Sequence, residues 1–320
     1  MFYYAPTTVI SGIRSFMSIH IYLDHNILDH IKKGDFSLGP SGEIIWIYSD
    51  ENLGEIRRSG NEFGFLEVLD SIKARKLDLV LDENFRITGS AQILEYKSPH
   101  EEYQLYLDAV SECNLDHSSD FEILARLYGA NNRDKILSHP DTVEKAIKEM
   151  LEPYGLFSEE IKGELKKVTL EIGDFVSGPL QELTDLETSR ATIGTHNGRA
   201  GNIVSEENPI EHLWEIVKFR LGEMTPDQFF GFDPMEKQGY EEWPMYLGII
   251  SCHNVLNVLG FRPDDGLTKP EKLPGVLSDA SHIAYAAYCQ GLLSKDRKML
   301  AKAKAIYRYK NISTKVLTIQ

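Results

Sequence analysis

Cysteine is scarce in this sequence. The 320 residues include three, Cys113, Cys252 and Cys289. An odd number at wide spacing builds neither a disulfide framework nor a thiolate zinc site, and it suits a reducing cytoplasm. Long apolar runs are also missing: no stretch approaches the roughly 20 residues that span a bilayer, so no membrane association is expected. Near the start, Arg14 is the single basic residue, behind polar Thr7, Thr8 and Ser11, which is not the composition of a secretory leader. Basic residues are outnumbered, 34 to 49, for a net charge of −15, which excludes a surface coated for indiscriminate nucleic-acid binding. The deficit is uneven. Residues 86–269 carry 17 basic and 33 acidic side chains, whereas residues 270–320 carry 9 and 3. The cationic tail segment could bind phosphate locally, and the acidic middle reads equally as solvated helix surface.

Strand-like and helix-like patterns alternate at both ends of the chain. Residues 18–24 and 43–49 are short apolar runs rich in β-branched and aromatic residues, and 77–82 is a third. Helical patterns over 26–32, 50–56 and 67–76 separate them. Alternation resumes with a helix at 279–290, a strand at 291–294, a helix at 298–304 and a strand at 315–319. Between these ends the periodicity predicts amphipathic helices at 100–112, 120–128, 142–151, 158–169, 210–221 and 243–259, with no convincing strand. A glycine-rich loop covers 192–202, and Pro and Gly content marks 262–275 as a linker. The expected organisation is an α/β domain with a parallel sheet built from residues 15–85 and 270–320, interrupted by a mostly helical insertion at 86–269.

Four carboxylates fall where a parallel sheet places its active site, at the carboxyl ends of strands and the starts of the next helices. Asp24 ends the first strand, Glu55 follows the second, Asp279 begins the late helix, and Asp296 follows the strand at 291–294. Such a cluster offers oxygen ligands to a hard cation, Mg²⁺ or Mn²⁺, which can turn a water into a nucleophile against a phosphate. Each has a bland alternative. Asp279 and Asp296 could be helix N-caps or first-turn acids, and Glu55 could pair with Arg58. Asp24 is harder to dismiss, because a charge closing an apolar strand is costly without a partner.

Together these residues resemble the PIN-domain nucleases. Leu23-Asp24-His25-Asn26 is similar to that family's opening motif, and Ser49 with Glu55 to its second. Asp279-Ala280-Ser281-His282-Ile283-Ala284 is similar to its Asp-Ala-x-His-x-Ala helix, and Ser294-Lys295-Asp296 to its last motif. The resemblance covers residues 18–85 and 275–320, under half of the chain. It implies a three-layer α/β/α fold and metal-dependent phosphodiester hydrolysis of RNA by a metal-activated water, possible roles including toxicity or defence. It further implies Asp24, Glu55, Asp279 and Asp296 as metal ligands, and Asn26, Ser49 and Ser294 as groups that hold them in place. Lys295, Arg297 and Lys298, with Lys302, Lys304, Arg308 and Lys310 further along, would then contact substrate phosphate.

Other signals point less far. His282 in an Ala-rich helix reads as a packed, hydrogen-bonded histidine rather than a general base, and Cys252-His253 lacks the partners of a zinc site. Gly194, Gly198 and Gly201 lack a P-loop lysine; His196 and Arg199 on that loop could touch substrate. Asp82 and Glu83 are reserve carboxylates should Glu55 fail. A haloacid-dehalogenase-type phosphatase also opens with a strand-ending Asp, but it wants a second Asp where Asn26 stands. The remaining alternative is a silent scaffold of the same fold, with the acidic insertion binding a protein partner.

Overall fold

The computed structural model describes residues 18–40, 42–112, 118–178, 185–196, 200 and 207–319. In chain order the elements are β1 (Ile19–Leu23), α1 (His25–Lys32), β2 (Ile44–Tyr48), α2 (Asp50–Ser59), α3 (Glu62–Ser71), β3 (Arg75–Leu81) and β4 (Ile87–Ile93). Helices α4 (Pro99–Glu112), α5 (Ser118–Leu127), α6 (Arg133–Ile136), α7 (His139–Leu151), α8 (Glu159–Ser177) and α9 (Leu186–Ile193) follow. The chain continues through α10 (Pro209–Val217), α11 (Pro226–Phe229), α12 (Met245–Leu259), α13 (Leu273–Ala286), β5 (Gly291–Leu293), α14 (Arg297–Tyr309) and β6 (Lys315–Leu317).

The fold is α/β. Its six strands form a sheet in the order β4-β3-β2-β1-β5-β6, parallel except for β4, which runs antiparallel to β3. Side chains alternate across the central strands, as a period of two requires. Tyr22, Ile47, Leu77 and Leu292 face one apolar cluster with α10, α12, α13 and α14. Ile21, Leu23, Trp46, Tyr48 and Leu293 face the other with α1 to α4. A helical layer therefore covers each face. The chain leaves β1 toward β2 on one side and returns with β5 on the other. The carboxyl ends of β1 and β5 thus flank the point where strand order reverses, the place such sheets bind ligands.

Three expectations change here. Residues 87–93 form a strand, although the segment reads as neither clearly apolar nor β-branched; it is paired as the second arm of a hairpin, with Asp82 accepting from the backbone of Asn84 and Arg86 in the turn. Asp82 is thereby used by its own turn. Among its described residues the span 86–269 holds helices and no further strand, but β4 joins the sheet and α4, α10 and α12 pack on its two faces, so the core extends past the expected boundary. Finally, the late helix begins at Leu273, six residues before Asp279, with Pro274 in its first turn where a missing N–H costs nothing. Part of the expected linker is therefore helix. Two smaller clusters complete the helical region: Ala125 of α5 and Tyr128 just after it pack with Leu273 and Val276 of α13, and Ile136 packs with Val176 of α8. Among the described residues no helix is long and apolar enough to cross a membrane.

Candidate metal centre

Asp24 sits immediately after β1, buried, and is the N-cap residue of α1, yet its side chain makes no capping bond. Instead Oδ2 accepts from Ser294 Oγ at 2.5 Å and from Asn26 Nδ2. Asn26 Nδ2 also donates to Ser294 Oγ at 3.0 Å, and Asn26 Oδ1 accepts from the Lys295 backbone at 3.0 Å. Asn26 and Ser294 thus tie the loop after β5 to the loop after β1 and fix the Asp24 carboxylate. Its Oδ1 lies 3.7 Å from His282 Nε2.

Ser49 caps α2 in a reciprocal box with Asn52. Asn52 Nδ2 in turn donates to the Leu23 carbonyl at 3.0 Å, joining the ends of β1 and β2. Glu55, one turn further on, reaches across to α13 and meets His282 Nε2 at 2.7 Å. Arg58, its expected partner, is 4.0 Å away and lies closer to Glu51. His282 is fully buried, and its Nδ1 is 2.8 Å from Tyr22 Oη, which donates to Asn52 Oδ1 at 3.1 Å. Both ring nitrogens are therefore occupied. Burial works against the imidazolium, but Glu55, then Asp24 and Glu51, raise its pKa to about 9. Burial likewise opposes an ionised Glu55, but His282 and then His25 and Ser278 hold it down at about 2. The sequence reading of His282 as packed and hydrogen-bonded holds, yet its partners belong to the site. The signal was its place three residues after Asp279, which puts both on one helix face.

Donor atoms of Asp24, Glu55 and His282 lie within 4.8 Å of one another. Asp279 and Asp296, expected as ligands beside them, fall outside that group, and His282 stands in it instead; Asp279 and Asp296 act as nearby charges. Asp279 is not an N-cap, since it lies well inside α13, and among the described residues no donor hydrogen-bonds its carboxylate. Its burial, with Asp24, Asp264 and Asp296 nearby, holds its pKa well above the usual carboxylate range. Burial also raises Asp24, His282 countering and Glu55 and Asp296 adding to it. Asp296 does cap α14, its Oδ1 accepting from Lys298 N at 2.7 Å and Met299 N at 2.8 Å. The bland reading of Asp296 is thus realised, alongside its place near the other carboxylates.

The basic residues divide sharply. Lys302 is not on the surface: it is fully buried, its Nζ 2.6 Å from Asp264 Oδ2 and 3.1 Å from Asn257 Oδ1. Lys298 pairs with Asp265 at 2.7 Å, Lys310 with Asp227 at 3.1 Å, and Arg308 with Glu207. Lys295, Arg297 and Lys304 are exposed and have no carboxylate partner among the described residues. Of the glycine-rich loop, Gly194 ends α9 with φ +90° and His196 is exposed; Gly198, Arg199 and Gly201 lie outside the described residues, as does Cys113.

Buried His253 lies 3.4 Å from Asp264 beside the same lysine, and burial and then the Lys302 ammonium hold its pKa well below 6.5. Below pH 6.5 the unfolded imidazole takes up a proton that the folded one refuses, so stability falls as pH drops, by up to about 1.4 kcal/mol per unit. Urea unfolding at pH 7 and 5.5 should show a shallower pH slope for His253→Asn than for wild type. Equal slopes would contradict a neutral buried imidazole.

No family model, curated protein or solved structure matches this chain. The site therefore rests on its own geometry. Of the three grouped residues, Asp24 keeps Oδ1 clear of hydrogen bonds and Glu55 is held in its ionised form by His282, two oxygen donors of the kind a hard cation takes.

Proposed function

We infer that the protein is a metal-dependent phosphodiesterase that cuts RNA, with Asp24, Glu55, Asp279 and Asp296 holding Mg²⁺ or Mn²⁺. The observation that carries this is the meeting of Asp24 from the end of β1, Glu55 from α2 and His282 from α13 within 4.8 Å of one another at the switch point of the sheet, with Asp296 and Asp279 as nearby charges. The resemblance of the same residues to the PIN-domain motifs supplies the substrate class. A bound divalent cation supplies Lewis acidity toward the phosphate and makes water a competent nucleophile at neutral pH.

The protein's own groups do the rest. Ser294 and Asn26 fix the Asp24 carboxylate so that Oδ1 faces inward. His282, anchored by Tyr22, orients Glu55. Lys295 and Arg297 flank Asp296 and are free to hold the phosphates on either side of the scissile bond. Burial and then the neighbouring carboxylates push the Asp279 pKa up, an opposition to its charge that a bound cation would relieve.

Titration with Mn²⁺ tests this directly. At 100 times the dissociation constant, one bound ion stabilises the native state by about 2.7 kcal/mol, so the thermal midpoint should climb with Mn²⁺ and fall back with EDTA. A mixed RNA pool should be cleaved under the same conditions. A midpoint indifferent to Mn²⁺ and Mg²⁺, with the pool intact, would refute the reading.

A further inference from the structure

A groove of about 1020 Å³ runs between α14 and β6. It starts at Lys295 and Arg297, the residues on either side of Asp296, and continues past Lys304 on the same helix face to Lys315 on the strand. All four are exposed, and none has a carboxylate partner among the described residues. Among the described residues the only acidic one in the lining is Glu207, which is paired with Arg308. Leu300 and Val316 lie in the floor. In a protein of net charge −15, four unpaired cations on one groove leading from a carboxylate cluster form a local exception to the overall field.

We propose that this groove binds a single RNA strand, carrying it away from the carboxylate cluster with phosphates on the cationic rim and bases over the apolar floor. This assignment rests on the nuclease reading for its substrate. A duplex would present only phosphates and have no use for the floor, whereas an unpaired strand presents phosphates on one side and base faces on the other. Arg297 and Lys304 are seven residues apart, about 10 Å along the helix at 1.5 Å per residue, which spans more than one nucleotide. The sequence pointed to cations here but grouped Lys298, Lys302, Arg308 and Lys310 with them; those four are occupied, and Lys315 joins the free ones.

The test is fluorescence anisotropy of a labelled oligouridylate in EDTA, which prevents cleavage, between 50 and 300 mM KCl. Four phosphate contacts on a single strand give a slope of log K against log salt near −3, at about −0.7 per contact. Lys304→Gln with Lys315→Gln should reduce the slope by about 1.4 and weaken binding at least tenfold at 50 mM, with an unchanged thermal midpoint as the control for folding. An unchanged slope in the double variant overturns the groove. So does equal binding of an oligoglutamate of the same charge, which would make this a peptide site at the edge of β6. Wild type that binds with the expected slope but never cleaves with Mn²⁺ overturns the hydrolysis reading and leaves the groove standing. Cleavage with unaltered KM in the double variant does the reverse.

Discussion

Lys302→Met is expected to destabilise the protein by about 3–5 kcal/mol, the usual consequence of removing one partner from a buried ion pair. The methionine fills the same volume, so the loss comes from charge rather than packing. Asp264 would keep its hydrogen bonds to Asn257 but lose the ammonium 2.6 Å away. Burial already lowers the pKa of Lys302, and Asp264, Asp279 and Asp296 counter that fall, so this single cation offsets several carboxylates. Adding Asp264→Asn should recover most of the stability, because the stranded charge is then gone while the hydrogen-bonding shape remains. Urea unfolding at pH 7 measures both. A single variant within 0.5 kcal/mol of wild type would mean that the pair is not a buried charge pair in solution.

Asp24→Asn should separate activity from stability in the opposite sense. A ligand removed from a metal-dependent hydrolase forfeits several kcal/mol of transition-state stabilisation, and each 1.36 kcal/mol is tenfold in rate, so cleavage should fall about a thousandfold or more. The apo protein should be as stable as wild type or slightly more so. Asparagine can still accept from Ser294 and Asn26, and the repulsion that Asp24 exerts on Asp279 disappears. The Mn²⁺-dependent rise in midpoint should shrink in parallel with the rate. Asp296→Asn is the companion, since asparagine caps a helix as well as aspartate does: stability should hold while cleavage falls. Full cleavage by both variants would sink the catalytic assignment.

The parts of this arrangement legible in the sequence are those set by local pattern. The parallel strands are short apolar runs, and an Asp ending β1 stands out because burial of its charge demands a reason. Asp24 and Asp296 could be placed at strand ends for that reason, whereas Glu55 and Asp279 lie inside helices, the one carrying Asp279 starting earlier than expected. Pro274 and Gly275 look like linker residues until the helix geometry shows that proline fits the first turn. Strand β4 was hidden because its exposed edge position asks little of its side chains, Gly89 and Ser90 among them. Lys302 was the deepest concealment. It belongs to a run of lysines spaced along one helix, and only the approach of Asp264 from a distant loop shows that it points inward.

The pairing of β1 with β5 sets Tyr22 beside Leu292. Strands this far apart in the chain close a very long loop, and such contacts form late because the closure entropy must be spent before the contact repays it. During synthesis, a ribosome that has finished β1, α1, β2 and α2 has made Asp24 and Glu55 but neither Asp279, His282 nor Asp296. Ser294, which fixes Asp24, is still to come as well. The emerging chain thus carries half a candidate cation site until α13, β5 and the start of α14 have left the exit tunnel. An activity directed at RNA would be withheld, by topology alone, from the message being read.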